Sequence, residues 1–206
     1  MITVADISAY IDTLAPPYMA ESWDNAGLLC GRKNQEVHKI LVALDPFSDV
    51  IAEAVSEKAD LIVTHHPLIF GDGLTAVNDS TEVGRCLLTL AEHGIAAVNA
   101  HTNLDVAYGG INDVLAEILG LSDVEILNPE GTDEQDRPYG LLRCGTVKTR
   151  PLSDFLTDVK KNLGCPVLRY TDGGKPVCKV AVGGGACADG MKEAVSYTHM
   201  TLPTKA

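Results

Sequence analysis

Short apolar runs alternate with amphipathic segments through the first half of the chain, and this alternation constrains the fold more than any other feature. The runs "KILVALD" (39–45), "DLIVT" (60–64) and "IAAVNA" (95–100) have the length and near-continuous apolar character of strands buried on both faces. Segments with helical periodicity lie between them, and Gly94 is placed to end one of these helices. The alternation predicts βαβ units and a parallel sheet covered by helices.

The second half of the chain predicts a smaller α/β set. Residues 122–140 are acidic and turn-rich without periodicity, which indicates either a lobe boundary or an excursion from the α/β pattern. After them we predict strands in "LLRCGTVK" (141–148), "PVLRY" (166–170) and "CKVAVGGG" (178–185), and a helix in "SDFLTDVKKNLG" (153–164).

These patterns divide the chain into three parts. We expect a first α/β lobe at residues 1–125 and a partial second α/β lobe at 126–196. A helix that begins near Ala188 would need more turns than the remaining chain allows, and the last residues lose its apolar face. We therefore expect residues 197–206 to be a non-native tail on a chain truncated at its C-terminus.

Charge and hydropathy exclude several kinds of partner. The chain has 28 acidic and 16 basic residues, a formal charge of -12, and no basic run, which argues against nucleic acid as its main partner. No apolar stretch approaches the roughly 20 residues of a spanning helix. The N-terminal "MITVADISAY" lacks the regions of a signal peptide, so we expect a cytoplasmic protein with no membrane association.

Four polar side chains follow two neighbouring predicted strands. His65 and His66 come directly after "DLIVT", while His101 and Asp105 follow the next strand. Ligands of open α/β sheets bind outside the carboxyl ends of the strands, so we expect these side chains to converge. A lone histidine at a strand end usually forms a cap or a hydrogen bond. The adjacent His65 and His66, with His101 and Asp105 after the next strand, favour a metal site instead. Imidazole and carboxylate suit zinc, iron, manganese, nickel or cobalt, which leaves the metal open.

The histidine doublet adds a geometric argument for two ions. Consecutive side chains leave a strand in different directions, which disfavours binding of one ion by both His65 and His66. Two divalent metal ions roughly 3.5 to 4 Å apart would use both, and Asp105 could bind either ion or bridge them. Such a pair could turn water into a nucleophile at neutral pH.

Two further segments leave alternatives open. "ESWDNAGLLCG" (21–31) contains the only tryptophan, Trp23, and is either a packed turn with Trp23 in the core, which we favour, or a loop beside the ligand crevice. "VGGGACADG" (182–190) is either a tight turn, which we favour, or a strand-to-helix cradle for phosphate.

With "WDNAGL", "THHP" and "HTNLD" in matching order and spacing, the chain resembles the GTP cyclohydrolase 1 type 2 homologue family, also called the Nif three-like dinuclear metal proteins, over about Met1 to Ser196. The resemblance implies two similar α/β lobes with mixed, largely parallel sheets, two divalent metal ions in the cleft, and a homohexamer whose metal sites face its cavity. It implies that His65, His66 and Asp105 are metal ligands and that His101, near the metals, is a ligand or a catalytic proton shuttle.

The chain departs from the family pattern near its end. The family completes its site with a histidine and, four residues later, a glutamate that bridges both metals. Here the only late histidine is His199, and Pro203 lies four residues on. We therefore expect this chain to lack the bridging ligand.

The family name implies hydrolytic opening of the purine ring of GTP. We expect a metal-dependent hydrolase whose small-molecule substrate is a nucleotide or another phosphorylated compound. The alternative is a non-enzymatic metal-binding or regulatory partner-binding protein, which the absence of an obvious arginine cluster for a triphosphate favours. A purely structural protein ranks last, because it leaves four polar side chains at strand ends unexplained.

Overall fold

The computed structural model describes residues 1–71 and 74–198, and the chain forms two compact units divided after Leu104. The first unit is a four-stranded sheet with helices on both faces. Its elements are α1 (Val4–Leu14), β1 (Gly27–Cys30), β2 (Ile40–Ala43), α2 (Ser48–Ser56), β3 (Leu61–Thr64), α3 (Glu82–His93) and β4 (Ala96–Asn99), with a 3₁₀ turn at Pro17–Met19.

The sheet of the first unit is mixed, in the order β1-β4-β3-β2. The strands β2, β3 and β4 pair in parallel, as the sequence predicts, and β1 adds an antiparallel edge next to β4. Because parallel strands end at the same edge of a sheet, the residues that follow β2, β3 and β4 emerge together. This edge carries the candidate site.

Each face of this sheet has its own core. Leu61 and Ile62 are both fully buried, and they belong to different clusters because successive strand side chains point to opposite faces. Leu61 packs with Val4 of α1, whereas Ile62 packs with Ile51 of α2 and Leu90 of α3. Burial on both faces explains why β3 and β4 are apolar without alternation. The same prediction is wrong for β2, an edge strand whose Ile40 and Val42 are 39% and 75% exposed.

The helix boundaries of the first unit follow the predicted signals. Thr3 and Asp6 form a capping box at the start of α1, with the Thr3 main-chain N–H 2.8 Å from Asp6 Oδ2. Gly94 ends α3 in a left-handed conformation with φ of 66°. The predicted helix end at Gly94 is confirmed.

The second unit begins at Asp105 and has an antiparallel sheet in the order β5-β8-β9. After α4 (Thr102–Val106), which spans the division, its elements are α5 (Ile111–Ile118), β5 (Ser122–Leu127), β6 (Gly131–Thr132), β7 (Pro138–Tyr139), β8 (Leu142–Arg150), α6 (Leu152–Asn162), β9 (Val177–Val182), a 3₁₀ turn at Cys187–Gly190 and α7 (Met191–Thr198). The predicted α/β class is confirmed. Parallel pairing among the described strands occurs only in the first unit.

The division falls earlier in the chain than the predicted lobe boundary at residue 125. The cause is α5, whose Ala116 packs with Phe155 of α6 and Val177 of β9 in the core of the second unit. A helix that buries its apolar face in the second core belongs to that unit.

Two predictions about the second unit are wrong. Residues 122–140 contain β5 and the β6–β7 hairpin, which the sequence did not reveal because β5 is largely exposed and its pairing with β8 is irregular between Ser122 and Glu125. The segment "PVLRY" forms no strand, and its Val167 and Tyr170 side chains are 73% and 56% exposed.

The described residues end with α7, at the start of the predicted tail. Of the predicted tail at 197–206, only its first two residues are described, as the end of α7, and His199 and Pro203 lie outside the described residues. None of the helices in the described ranges combines the length and apolar character that crossing a membrane requires.

Candidate metal centre

Three histidines converge at the carboxyl edge of the parallel strands. His65 and His66 directly follow β3, and His101 lies two residues after β4. One ring nitrogen of each lies within 4.8 Å of those of the other two. The ring centroids are 4.9 Å apart for His65 and His66, 5.2 Å for His65 and His101, and 5.5 Å for His66 and His101. The structure therefore brings together three of the four side chains that the sequence analysis singled out.

All three imidazoles face an oxygen acceptor through the same ring atom, Nδ1. The acceptors are the Ala100 carbonyl at 2.9 Å from His65, Asp45 Oδ1 at 2.6 Å from His66 and Asp24 Oδ1 at 2.8 Å from His101. Carbonyl and carboxylate oxygens only accept hydrogen bonds, so in the neutral imidazole Nδ1 carries the hydrogen and Nε2 is the nitrogen with the lone pair. This is the tautomer and the supporting shell that metal-binding histidines have in proteins.

The side chains of His65 and His66 do not point apart as consecutive side chains of a strand do. β3 ends at Thr64, whose hydroxyl donates to the main-chain carbonyl of His66 at 2.7 Å, and the His66 main-chain N–H donates to Leu44. Both histidines thus lie in a bend outside the strand, where side-chain alternation no longer applies. The prediction that they point apart is wrong, and the geometry of the doublet leaves the number of ions open.

Asp24 holds His101, whose side chain is more enclosed than that of His66. Its carboxylate side chain has no exposed surface, and that of His101 is 13% exposed. Besides His101 Nδ1, the carboxylate accepts from the main-chain N–H and the hydroxyl of Thr102 and from the main-chain N–H of Asn25. Burial raises the pKa of Asp24, but hydrogen bonds from Thr102 and His101 outweigh it and lower the pKa below its ordinary value.

Asp45 holds His66, which is more exposed than His101. Asp45 lies beyond β2, and its side chain is 32% exposed, against 45% for His66. Sequence reasoning gave Asp45 no role, although the rule that identified the histidines applies equally to the end of "KILVALD". Asp24 lies next to Trp23 in the sequence, and no local signal links it to a histidine far along the chain.

The fourth predicted residue, Asp105, belongs to the second unit. It is 9% exposed, and its main-chain carbonyl accepts a hydrogen bond from the buried Asn112 side chain at 3.0 Å. Its role as a metal ligand stays a prediction, as does the proton-shuttle role of His101.

The tryptophan segment belongs to the site and not to the core. Trp23 is 58% exposed, and its ring lies 6.2 Å from that of His101 between centroids, in an edge-to-face arrangement. The packed-turn interpretation with Trp23 in the core is wrong. The alternative, a loop beside the crevice, agrees with this position.

The glycine segment at 182–190 packs as a turn. The Gly184 main-chain N–H donates to Asn112 Oδ1 at 2.7 Å, so this amide is already engaged. A Cβ atom on Gly183 would overlap the Cys187 side chain and Leu142. Close packing therefore accounts for the absence of a side chain at Gly183, in agreement with the favoured tight turn.

The donor set fits a divalent transition metal. Neutral imidazole is a common ligand of zinc, iron, nickel and copper in proteins, and three histidines are a familiar catalytic ligand set. Within the described part of the chain, no other group of three or more histidine, cysteine, aspartate or glutamate side chains is arranged to hold an ion.

Comparisons with known proteins identify relatives of this chain. The family model described as Duf34/NIF3 (NGG1p interacting factor 3) matches residues 2–198. A Clostridium perfringens protein named GTP cyclohydrolase 1 type 2 homolog is 36% identical over 186 residues, which are 89% of this chain and 70% of that protein. A Streptomyces coelicolor protein of the same name is 42% identical over 153 residues, 74% of this chain and 53% of that protein. The crystal structure of a Staphylococcus aureus protein superposes with a TM-score of 0.87 at 28% identity, covering 100% of this chain and 80% of that one.

Proposed function

The chain belongs to the Duf34/NIF3 family, and on that premise we propose that its histidine cluster binds divalent metal ions and hydrolyses a nucleotide or another phosphorylated small molecule. One observation carries the proposal. Each of the three clustered histidines has its Nδ1 within hydrogen-bond distance of an acceptor oxygen, which makes Nε2 the ring atom suited to bind a metal.

The residues of the chain have separate tasks in this proposal. His65, His66 and His101 bind the metal through Nε2, while Asp45 and Asp24 fix the rings and raise their basicity. A bound divalent ion supplies a Lewis acid and lowers the pKa of water that it binds.

The finer parts of the proposal rest on the family resemblance. We propose two ions with Asp105 as a further ligand, and assembly of the chain into a homohexamer. The relatives named GTP cyclohydrolase 1 type 2 homolog suggest GTP as the first substrate to test. The chain spans only 70% and 53% of the two relatives' lengths, so the activity of the whole protein is itself part of the proposal.

Product release from GTP tests the proposal. The protein is loaded with zinc, manganese or iron, and formate and inorganic phosphate are measured beside the variants His65→Ala and His93→Ala. His93 is a matched control, since it lies at the end of α3 and hydrogen-bonds its Nδ1 to the Thr89 carbonyl, outside the cluster. We expect metal-dependent product in the wild type and in His93→Ala, and none in His65→Ala. Bound metal without product from GTP or other nucleotides would contradict the hydrolase and favour a non-enzymatic metal-binding role.

A further inference from the structure

Two large aromatic side chains stand exposed beside the histidine cluster. Trp23 is 58% and Phe70 59% exposed, and their ring centroids are 5.9 Å apart at an interplanar angle of 89°. Each ring also meets that of His101 edge to face, at 6.2 Å for Trp23 and 5.9 Å for Phe70. The three rings are nearly perpendicular to one another, and we call Trp23 and Phe70 the aromatic rim.

The aromatic rim is held in place by its neighbours in the chain. Asp24, next to Trp23, is hydrogen-bonded to the cluster. Asn25 donates from Nδ2 to the Ile69 carbonyl at 2.9 Å, which joins the Trp23 loop to the segment that ends in Phe70. Main-chain and polar contacts, not burial of the rings, therefore place these two side chains beside the site.

Packing alone does not account for the aromatic rim. Full burial of a large apolar side chain stabilises the fold by roughly 1.5 to 3 kcal/mol. Because both side chains are largely exposed, much of this stabilisation is absent. Two aromatic residues bury about 150 to 250 Å² each, well short of the roughly 800 Å² per partner of a specific protein interface. A cationic ligand is disfavoured here, because a metal ion in the adjacent cluster would repel it.

An exposed aromatic face beside a metal site suits a flat, uncharged ring. Bases stack on aromatic side chains irrespective of sequence, because each base presents a π-face. We infer that Trp23 and Phe70 bind the planar heteroaromatic ring of the substrate, a purine or pyrimidine base, stacked at the entrance to the histidine cluster. This inference rests on the proposed function and names the part of the substrate that the metal centre itself does not bind.

The single tryptophan makes the inference directly measurable. Guanosine and ribose 5-phosphate are titrated separately into the protein, with and without zinc, while Trp23 fluorescence is recorded at the red edge of its absorption. We expect saturable quenching by guanosine and none by ribose 5-phosphate. In Phe70→Ala the apparent Kd for guanosine should rise roughly 5- to 150-fold, and Phe70→Tyr should restore it. Tyr170→Ala, which removes a 56% exposed aromatic residue from the second unit, should leave it unchanged.

The outcomes separate this inference from the proposed function. Zinc binding without quenching by guanosine would overturn the inference and leave the metal centre intact. Quenching by guanosine in a protein that binds no zinc would support the aromatic rim and remove the metal centre. Equal affinity of wild type and Phe70→Ala, or quenching that follows protein concentration instead of guanosine concentration, would overturn the inference. For Trp23→Ala, which removes the reporter, calorimetry should show a loss of guanosine affinity of the same size.

Discussion

Replacement of Asp24 by asparagine tests how the site prepares His101 for metal. The Asp24 carboxylate accepts four hydrogen bonds, two on each oxygen. Oδ1 faces His101 Nδ1 at 2.8 Å and the Asn25 main-chain N–H at 2.7 Å, and Oδ2 faces the main-chain N–H and hydroxyl of Thr102 at 3.1 and 2.5 Å. An asparagine has a single oxygen, so its amide group must face one of these two pairs of donors.

The two orientations of the asparagine differ in their effect on metal. With its NH₂ group toward Thr102, it leaves a buried main-chain donor unpaired, at a cost of about 1 to 3 kcal/mol in the free energy of unfolding. With its NH₂ group toward His101, the asparagine favours the His101 tautomer that carries its hydrogen on Nε2, and Nε2 can then no longer bind a metal. Loss of such a supporting partner lowers metal affinity by about 10- to 100-fold, or roughly 1.4 to 2.8 kcal/mol.

Competition against a chromophoric zinc chelator measures the affinity, and urea unfolding without metal measures the stability. Asp133→Asn is the control, because this carboxylate also accepts several hydrogen bonds but lies in the second unit. We expect weaker zinc binding in Asp24→Asn and unchanged zinc binding in Asp133→Asn. Wild-type zinc affinity in a destabilised Asp24→Asn protein would refute the reasoning and leave Asp24 with a structural role alone.

Three further predictions concern stability, each read from urea unfolding. Arg143→Leu should lower the free energy of unfolding by about 3 to 5 kcal/mol, because the 1% exposed guanidinium donates to Asp113 and to three main-chain carbonyls. A loss below about 1 kcal/mol would contradict a buried pair. Gly31→Ala should lower the free energy of unfolding by roughly 1 to 3 kcal/mol, because φ is +109° at this position and the added Cβ would lie 2.6 Å from the Cβ of Ala96. An unchanged urea midpoint would count against this clash. Burial raises the pKa of Asp60, but hydrogen bonds from two main-chain N–H groups outweigh burial, so the pKa in the folded protein is lowered. The ionised carboxylate therefore stabilises the fold above the unfolded-state pKa of about 3.9, and this stabilisation is lost as the pH falls through the folded-state pKa. Between about pH 5 and pH 3 the wild type should therefore lose more stability than Asp60→Asn, and parallel losses would contradict this.

The first unit was largely predictable because its two central strands, β3 and β4, are buried on both faces. Continuous apolar runs such as "DLIVT" have few alternatives to a central strand, and the caps at Thr3 and Gly94 are local signals. The second unit was harder, since β5 is mostly exposed and irregularly paired and so leaves no periodic pattern. Its antiparallel pairing depends on contacts between distant strands that no local window contains.

The three histidines of the site were predictable from the sequence, but the groups that hydrogen-bond to them were not. Strand ends identified His65, His66 and His101, because the order of strands and helices fixes where those residues emerge. The pairing of His101 with Asp24 joins residues far apart in the chain, and only the fold reveals it. The directions of the His65 and His66 side chains do not follow strand geometry, because the strand ends at Thr64 and the chain bends immediately after it.

Metal content per chain tests the central claim most directly. The protein and its His66→Ala and His93→Ala variants are purified without chelators, supplied with zinc, desalted and analysed by inductively coupled plasma mass spectrometry. We expect at least one equivalent of zinc in the wild type and in His93→Ala, and a large loss in His66→Ala, since two imidazoles remain where three converge. Absence of zinc from the wild type, or equal zinc in His66→Ala, would contradict a metal centre built on these histidines.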